Sequence, residues 1–231
     1  MAVSTALGYA DLPELLTLLT GDEKHEPSAL STLDAIWVLY DRVLDVDPAR
    51  LDDPDRDRFL LSKGHGPAAY YAVLAAKGFL PVDTLDGFGG FASPLGHHPD
   101  HVLVPGVEIS SGSLGHGLPL AVGVALALDL QERAKPRVVC LVGDGELDEG
   151  SNHEAIQLAG RLGIGRLAVV AIDNGSSTHG WPRGISDRFE LEGWSTATVS
   201  GRDHDALERA FADAPGGRPH AVVAKISEGK R

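Results

Sequence analysis

The sequence predicts an α/β fold, built as a doubly wound and mostly parallel sheet with helices on both faces. Two apolar runs, residues 137–142 and 167–172, have the length and composition of strands that are buried on both sides. A helical stretch between them, Asp148 to Leu162, would be the crossover that parallel pairing of these strands requires. Strands continue to alternate with helices along the rest of the chain, which is typical of a parallel sheet covered by helices.

The first half of the chain is predicted to be largely helical. Leucine pairs alternate with polar residues from Asp11 to Thr20, which indicates a short amphipathic helix. Residues 28–44 combine a serine cap with apolar residues at helical spacing. Phe59 to Leu61 is predicted as a short buried strand, and the small residues 66–78 as a helix that ends in glycine. The stretch 93–113 is rich in Gly, Pro and His, and a long loop of this kind usually carries function.

The second half begins with a predicted helix over residues 115–133, whose first turns are nearly apolar and should therefore be buried. After the two strands and their crossover comes a predicted loop over 174–186. A strand over 196–199, a helix over 204–211 and a strand over 220–226 complete the pattern.

No internal repeat, linker or low-complexity segment divides the 231 residues, so we expect a single domain over 1–231 in which 1–50 is an N-terminal helical segment. The formal net charge of −13, without basic runs, argues against nucleic acid and anionic membranes as partners. No apolar stretch reaches the roughly 18 residues that a membrane-spanning helix needs. The first residues lack the features of a secretory signal, and the single cysteine, Cys140, leaves no internal disulfide. Together these features predict a cytoplasmic protein.

A candidate metal and phosphate site follows the two central strands. Gly143-Asp144-Gly145 comes directly after the first apolar run, and Asn174 follows the second. Parallel pairing would bring Asp144 and Asn174 together at the carboxyl ends of the strands, where open α/β sheets bind ligands. Carboxylate and amide oxygens suit Mg²⁺ or Ca²⁺, and the flanking glycines let the backbone approach a phosphate. The alternative is that GDG is only a tight turn.

The spacing of this site resembles the thiamine diphosphate motif, in which an Asn follows GDG about thirty residues later, as here. Further segments extend the resemblance: LSKGHG at 61–66, GHHP at 96–99, GVE at 106–108, SGSLGHG at 111–117 and ELDEG at 146–150. In this order they resemble the N-terminal, diphosphate-binding domain of transketolase, from about His25 to the end of the chain. GSLG at 112–115 and the short stretch 128–136 are similar to the split forms of that family.

The resemblance implies a role for each matching residue. Mg²⁺ (or Ca²⁺) would be held by Asp144, Asn174 and the backbone carbonyl of Ser176. His98 would face a hydroxyl of the donor sugar and help to move its proton, with His25 and His65 as further catalytic histidines. The residues that would contact thiamine diphosphate are His65, Gly112, Leu114, Gly143, Asp144, Gly145, Glu146, Asn174 and Thr178.

The resemblance also implies a partner. In the family, the glutamate that activates the cofactor lies in a second, pyrimidine-binding domain, and this sequence ends at Arg231, where the linker to that domain would begin. We therefore expect one subunit of a split enzyme, assembled as α2β2 with a pyrimidine-domain subunit. Glu149 and Glu154 match glutamates at the family's subunit interface, although a solvated helix face is the alternative. The implied reaction transfers a two-carbon ketol unit from a ketose to an aldehyde.

Two departures and two alternatives accompany this interpretation. The family's usual SGHPGG is replaced by residues 23–28, EKHEPS, which weakens the role of His25. Residues 176–178, Ser-Ser-Thr, give a more polar wall than the family usually has beside the cofactor, so the identity of the substrate is not predicted.

The alternative functions are the α subunit of a 2-oxoacid dehydrogenase or decarboxylase, and a cofactor-binding partner without catalytic activity. Histidines in LSKGHG and GHHP favour ketose chemistry over decarboxylation, and the presence of the metal ligands and His98 argues against a non-catalytic partner.

Overall fold

Five strands form one sheet in the computed structural model, which describes residues 7–21, 26–178 and 180–226. The strands are β1 (Arg58–Leu61), β2 (Val138–Gly143), β3 (Leu167–Asp173), β4 (Ser195–Ser200) and β5 (His220–Lys225). Their order across the sheet is β1-β2-β3-β5-β4, and every neighbouring pair is parallel. The predicted mostly parallel sheet is confirmed, and among the described strands it is entirely parallel.

Seven α-helices lie in the described residues. They are α1 (Leu12–Leu18), α2 (Glu26–Val38), α3 (Pro67–Ala76), α4 (Gly117–Leu130), α5 (Gly150–Leu162), α6 (Ile185–Leu191) and α7 (His204–Ala212). None of the helices in these parts of the chain is long and apolar enough to cross a membrane. The stretch 93–113 contains neither helix nor strand, as predicted.

The main differences from the predicted elements are two helix boundaries and one helix that was missed. The crossover helix begins at Gly150, because residues 145–148 form a separate 3₁₀ turn around the site. The helix predicted over 28–44 ends as α2 at Val38, and its last turn, Leu39–Val43, is a π-turn. The helix α6 was not predicted at all, since the loop was expected to continue to residue 186 and then to lead to a strand.

Alternate residues of each strand enter two separate hydrophobic cores. In β2, Val138, Cys140 and Val142 pack with α4, α5 and α6, whereas Val139 and Leu141 pack with α1, α2, α3 and α7. This alternation is what a sheet buried on both faces requires, because successive side chains point to opposite sides. The predicted doubly wound arrangement is therefore confirmed. Burial also raises the pKa of the Cys140 thiol well above its usual range.

The register of the central strands positions the candidate site. Gly143, the last residue of β2, pairs with Ile172 of β3, and the next amide, Asp144 N–H, donates to the Ile172 carbonyl at 3.0 Å. Leu61, the last residue of β1, pairs with Leu141 on the other side of β2. Hence the loops that follow β1, β2 and β3 leave the sheet at one edge and next to one another.

A glycine contact fixes α5 against the chain that follows α6. A Cβ atom added at Gly160 would overlap the backbone carbonyl oxygen of Glu192. Gly160→Ala should therefore push α5 away and lower the free energy of unfolding by about 1–3 kcal/mol, as overpacked sites do. Chemical denaturation of the purified protein measures this change.

The matched control is Gly123→Ala in α4, where a Cβ atom would meet nothing within 4 Å. There we expect a gain of about 0.5–1 kcal/mol, because alanine favours the helix over glycine. Equal effects of the two substitutions would contradict the packing described for α5.

Candidate active site

The carboxylate of Asp144 lies at the carboxyl end of β2 and is only 2% exposed. Its Oδ1 accepts hydrogen bonds from the Gly145 N–H at 2.9 Å and from the Ser176 hydroxyl at 2.5 Å. Its Oδ2 accepts from the Ser177 N–H at 3.2 Å. The loop that follows β3 is thus folded onto Asp144, as the pairing of the two strands predicted.

Asn174 stands beside Asp144 at the end of β3 and is half-buried. Its amide oxygen accepts from the Ser176 N–H at 3.2 Å, and its Nδ2 donates to the Ser31 hydroxyl of α2 at 3.3 Å. Gly145 leaves open a space that a Cβ atom would fill, 3.5 Å from the Ser176 carbonyl oxygen. The three predicted metal ligands therefore meet around a small backbone gap.

The donor set fits a hard divalent cation. It comprises one carboxylate, one amide oxygen and one backbone carbonyl, and such a set leaves further positions to water and to diphosphate oxygens. A cluster of three or more His, Cys, Asp or Glu side chains, the kind that holds transition metals, does not occur in the described residues. The geometry therefore agrees with Mg²⁺ or Ca²⁺ held together with a phosphate ligand.

The SGSLGHG segment at 111–117, called the glycine loop below, also contacts the loops that carry the predicted histidines. Gly112 has a φ of +130°, and a Cβ atom there would lie 2.6 Å from Cγ of His98, so the histidine ring packs directly on the glycine backbone. Gly64, next to His65, would place a Cβ atom 3.2 Å from the Leu114 side chain and 3.4 Å from the Gly112 carbonyl. The loops that carry His65, His98 and Leu114 are therefore neighbours.

Several groups at this meeting point are accessible to a ligand. His65 and His98 are exposed, and Leu114 keeps 43% of its surface exposed although it is apolar. The hydroxyl of Ser111, beside Gly112, is buried without a hydrogen-bond partner among the described residues. An unpaired buried hydroxyl is costly unless a ligand or water completes it. This cradle fits a phosphorylated cofactor with an apolar body.

Glu146 is placed differently from the rest of the predicted cofactor residues. Its carboxylate is 3% exposed, accepts from the Ser62 hydroxyl, and accepts from the N–H groups of Gly115 at 3.0 Å and Gly143 at 3.3 Å. Burial raises the pKa of Glu146. Its side chain is therefore hydrogen-bonded to the three loops beneath the site, and its contact with the cofactor remains a prediction.

Three further predicted residues are Thr178, Gly143 and His25. Thr178 is exposed on the loop after β3, and Gly143 is buried against the stem of Lys63. His25 falls outside the described residues. Lys63 and Ser62 belong to the LSKGHG segment, but their roles cannot be predicted from it, because they depend on contacts with α2 and with the GDG loop that sequence spacing does not reveal.

Comparison with known proteins decides the family. A family model described as "Transketolase, thiamine diphosphate binding domain" matches residues 20–227. The chain belongs to the transketolase family. It is 36% identical, over 89% of its length, to one of the subunits of apulose-4-phosphate transketolase from Actinobacillus succinogenes, of which it covers 76%. It is 55% identical, over 96% of its length, to a protein described as ferredoxin fas2 from Rhodococcoides fascians, of which it covers 73%.

The solved structures agree with this family. The transketolase of Campylobacter jejuni superposes with a TM-score of 0.77 at 26% identity, over 95% of this chain and 38% of that one. The described residues therefore correspond to little more than a third of that transketolase chain, and they carry its thiamine diphosphate-binding fold. The predicted fold class and family are both confirmed.

The first prediction for the site concerns the metal. Asp144→Ala should abolish Mg²⁺-dependent binding of thiamine diphosphate, because it removes the one charged protein ligand in the donor set. Asn174→Ala should weaken binding less, since it removes a neutral ligand. Isothermal titration calorimetry at fixed Mg²⁺, on the chain reconstituted with the expected pyrimidine-domain subunit, measures both affinities.

Asp148→Ala is the matched control. Asp148 lies in the same loop and accepts from the Ser177 hydroxyl at 3.0 Å, but it is outside the predicted ligand set. Its removal should leave the affinity nearly unchanged. Wild-type affinity in the Asp144 variant would show that the metal is held elsewhere.

Proposed function

We propose that this chain is the cofactor-binding subunit of a split, thiamine diphosphate-dependent transketolase. The complex would transfer a two-carbon ketol unit from a ketose to an aldehyde. The observation that carries the proposal is the meeting of Asp144, Asn174 and the Ser176 carbonyl around Gly145, in a chain of the transketolase family. We further propose that residues 1–231 form one domain, with 1–50 as its N-terminal helical segment.

Each part of the site has a task in this reaction. Asp144 and Asn174 would hold the metal that anchors the diphosphate, and the open backbone at Gly145 would let that diphosphate approach. Leu114 would contact the apolar body of the cofactor. Thiamine diphosphate itself supplies the electron sink for carbon–carbon bond cleavage when it is bound. His98, held against Gly112, would accept or return a proton at a hydroxyl of the donor sugar.

The involvement of a second chain is supported by the name of a relative and by exposed apolar side chains. The apulose-4-phosphate transketolase relative is, by its name, one of several subunits. On α4 and α5, which flank the site, four leucines are exposed: Leu120 at 48%, Leu130 at 86%, Leu158 at 47% and Leu162 at 56%. Contiguous exposed apolar surface is typical of an interface with another chain, and Leu158 and Leu162, one turn apart on α5, are neighbours of this kind. We propose an α2β2 complex with a pyrimidine-domain subunit.

Other functions have weaker support. The 2-oxoacid dehydrogenase alternative needs no sugar-facing histidine, yet His98 is built into a close contact with Gly112 at the site. Ferredoxin activity, suggested by the name of one relative, requires several cysteine thiolates to hold an iron–sulfur cluster. These 231 residues contain only Cys140, which is buried in β2. The segment shared with that relative therefore does not hold such a cluster. A cytoplasmic location remains part of the proposal.

Substitution of His98 distinguishes proton transfer at the substrate from binding of the cofactor. His98→Ala should lower kcat/KM by on the order of 10²-fold, the usual cost of losing a group that transfers a proton. Affinity for thiamine diphosphate should barely change. His101→Ala, an exposed histidine of the same loop, is the control and should retain activity. Full turnover of the His98 variant would show that this histidine does not act on the substrate.

The proposed function as a whole is tested by reconstitution. The 231-residue chain should transfer no ketol unit by itself, even with saturating thiamine diphosphate and Mg²⁺, because the pyrimidine-binding half of the site would come from the partner. Mixing it with a pyrimidine-domain subunit should give a two-plus-two complex that is active on a panel of ketoses and aldehydes. Activity of the isolated chain would refute the proposal.

The interface is tested in the same system. Glu149 and Glu154 are exposed at the start of α5, and changing either to Gln should weaken assembly, as measured by analytical ultracentrifugation. Glu14→Gln is the control, because Glu14 is equally exposed but lies on α1, which packs on the opposite face of the sheet.

A further inference from the structure

A buried lysine lies beneath the candidate site. Lys63 follows β1 and is only 6% exposed. Its stem runs under the GDG loop, since a Cβ atom at Gly143 would lie 3.3 Å from Cγ of Lys63. Its ammonium therefore sits below the loop of Asp144 and extends towards α2.

The ammonium binds the first turns of α2. Its Nζ donates to the Ser28 carbonyl at 2.7 Å, to the Ser28 hydroxyl at 2.8 Å and to the Thr32 hydroxyl at 3.1 Å. Longer contacts of 3.5 Å reach the Ser31 hydroxyl and the His65 carbonyl. Within the described residues, its hydrogen bonds thus join the end of β1 to the beginning of α2.

The same turn of α2 orients Asn174. The Ser31 hydroxyl accepts from Asn174 Nδ2 at 3.3 Å, which fixes the direction of the amide. The amide oxygen consequently faces the opposite way, towards the Ser176 N–H and the gap at Gly145. A rotation of the amide by half a turn would present N–H groups to a metal, and these cannot be ligands.

Placing a charged ammonium at the position of Lys63 costs free energy. An uncharged side chain could fill the same space at a lower cost, so the charge is not explained by packing alone. A cation is unfavourable at the beginning of a helix, where the backbone dipole is positive. Burial lowers the pKa of Lys63 to about 8, although the nearby carboxylates of Asp144 and Glu146 favour its charged form. The carboxylates of the candidate site therefore offset part of the cost of burying this cation.

We propose that Lys63 is a positioning residue for the metal–diphosphate site: it holds the first turns of α2, and through Ser31 it keeps the amide oxygen of Asn174 turned towards the metal. The inference rests on the proposed function, and it assigns a role to a residue that does not itself touch the metal. Outer groups that orient metal ligands typically change metal affinity by about 10- to 100-fold.

The test uses Lys63→Met in the complex reconstituted with the pyrimidine-domain subunit, because methionine keeps an apolar stem and removes the charge. Calorimetric titration with thiamine diphosphate, at several fixed Mg²⁺ concentrations, should show an affinity about 10- to 100-fold weaker, and the Mg²⁺ requirement should rise. Lys77→Met is the matched control. Lys77 is partly buried and paired with Asp41, but it follows the end of α3 that is remote from the site. This control should leave the affinity unchanged.

A double-mutant cycle distinguishes positioning from general loosening of the fold. If Lys63 acts through Ser31, the combined Lys63→Met and Ser31→Ala variant should lose less affinity than the product of the two single losses. Independent, multiplicative losses would overturn the proposal. So would a Lys63 variant with a lowered melting temperature and unchanged affinity.

Thr32→Val covers the case in which the Lys63 variant does not fold. It removes one acceptor of the ammonium and nearly preserves volume, and it should give a smaller loss of affinity in the same direction; unchanged affinity would overturn the proposal. If the wild type binds thiamine diphosphate and the Lys63 and Thr32 variants bind it equally well, only the role of Lys63 is contradicted. A reconstituted wild-type complex that does not bind thiamine diphosphate contradicts the proposed function as well.

Discussion

The buried carboxylate of Glu146 is the constraint on which the site depends. It ties together the loop after β1 through Ser62, the glycine loop before α4 through Gly115, and the GDG loop through Gly143. These segments are far apart in sequence, and no strand pairing aligns the glycine loop with the other two. Because an unpaired carboxylate would be costly at this depth, the three loops must close around it together. The open faces of the glycines then remain available to a ligand.

The sequence was sufficient to predict a parallel sheet and the proximity of Asp144 and Asn174. Both follow from local signals: two apolar runs of strand length, a helix between them, and polar residues where the strands end. The helix α6 was missed for a local reason too. It has seven residues, and its glycine-rich approach reads as loop. Short elements give too few periodic positions to be recognised from the pattern.

The supporting contacts of the site could not be predicted in the same way. Lys63 reaches α2 across 35 residues of sequence, and Glu146 reaches Ser62 across 84. Such contacts depend on how loops pack over the sheet edge, which spacing along the chain does not encode. The family resemblance located the residues that would touch the cofactor. It did not indicate which buried groups keep those residues in place.

The single thiol of the chain offers a direct measure of how firmly this architecture holds together. Cys140 lies in β2, between β1 and β3, with side chains of α4, α5 and α6 around it and its thiolate disfavoured by burial. A thiol reagent can reach it only when the sheet itself opens, because surface fluctuations of the loops leave β2 covered. The labelling rate of Cys140 therefore reports the opening of the central sheet, and its slowing on addition of a ligand would reveal how strongly binding at the sheet edge is coupled to the core.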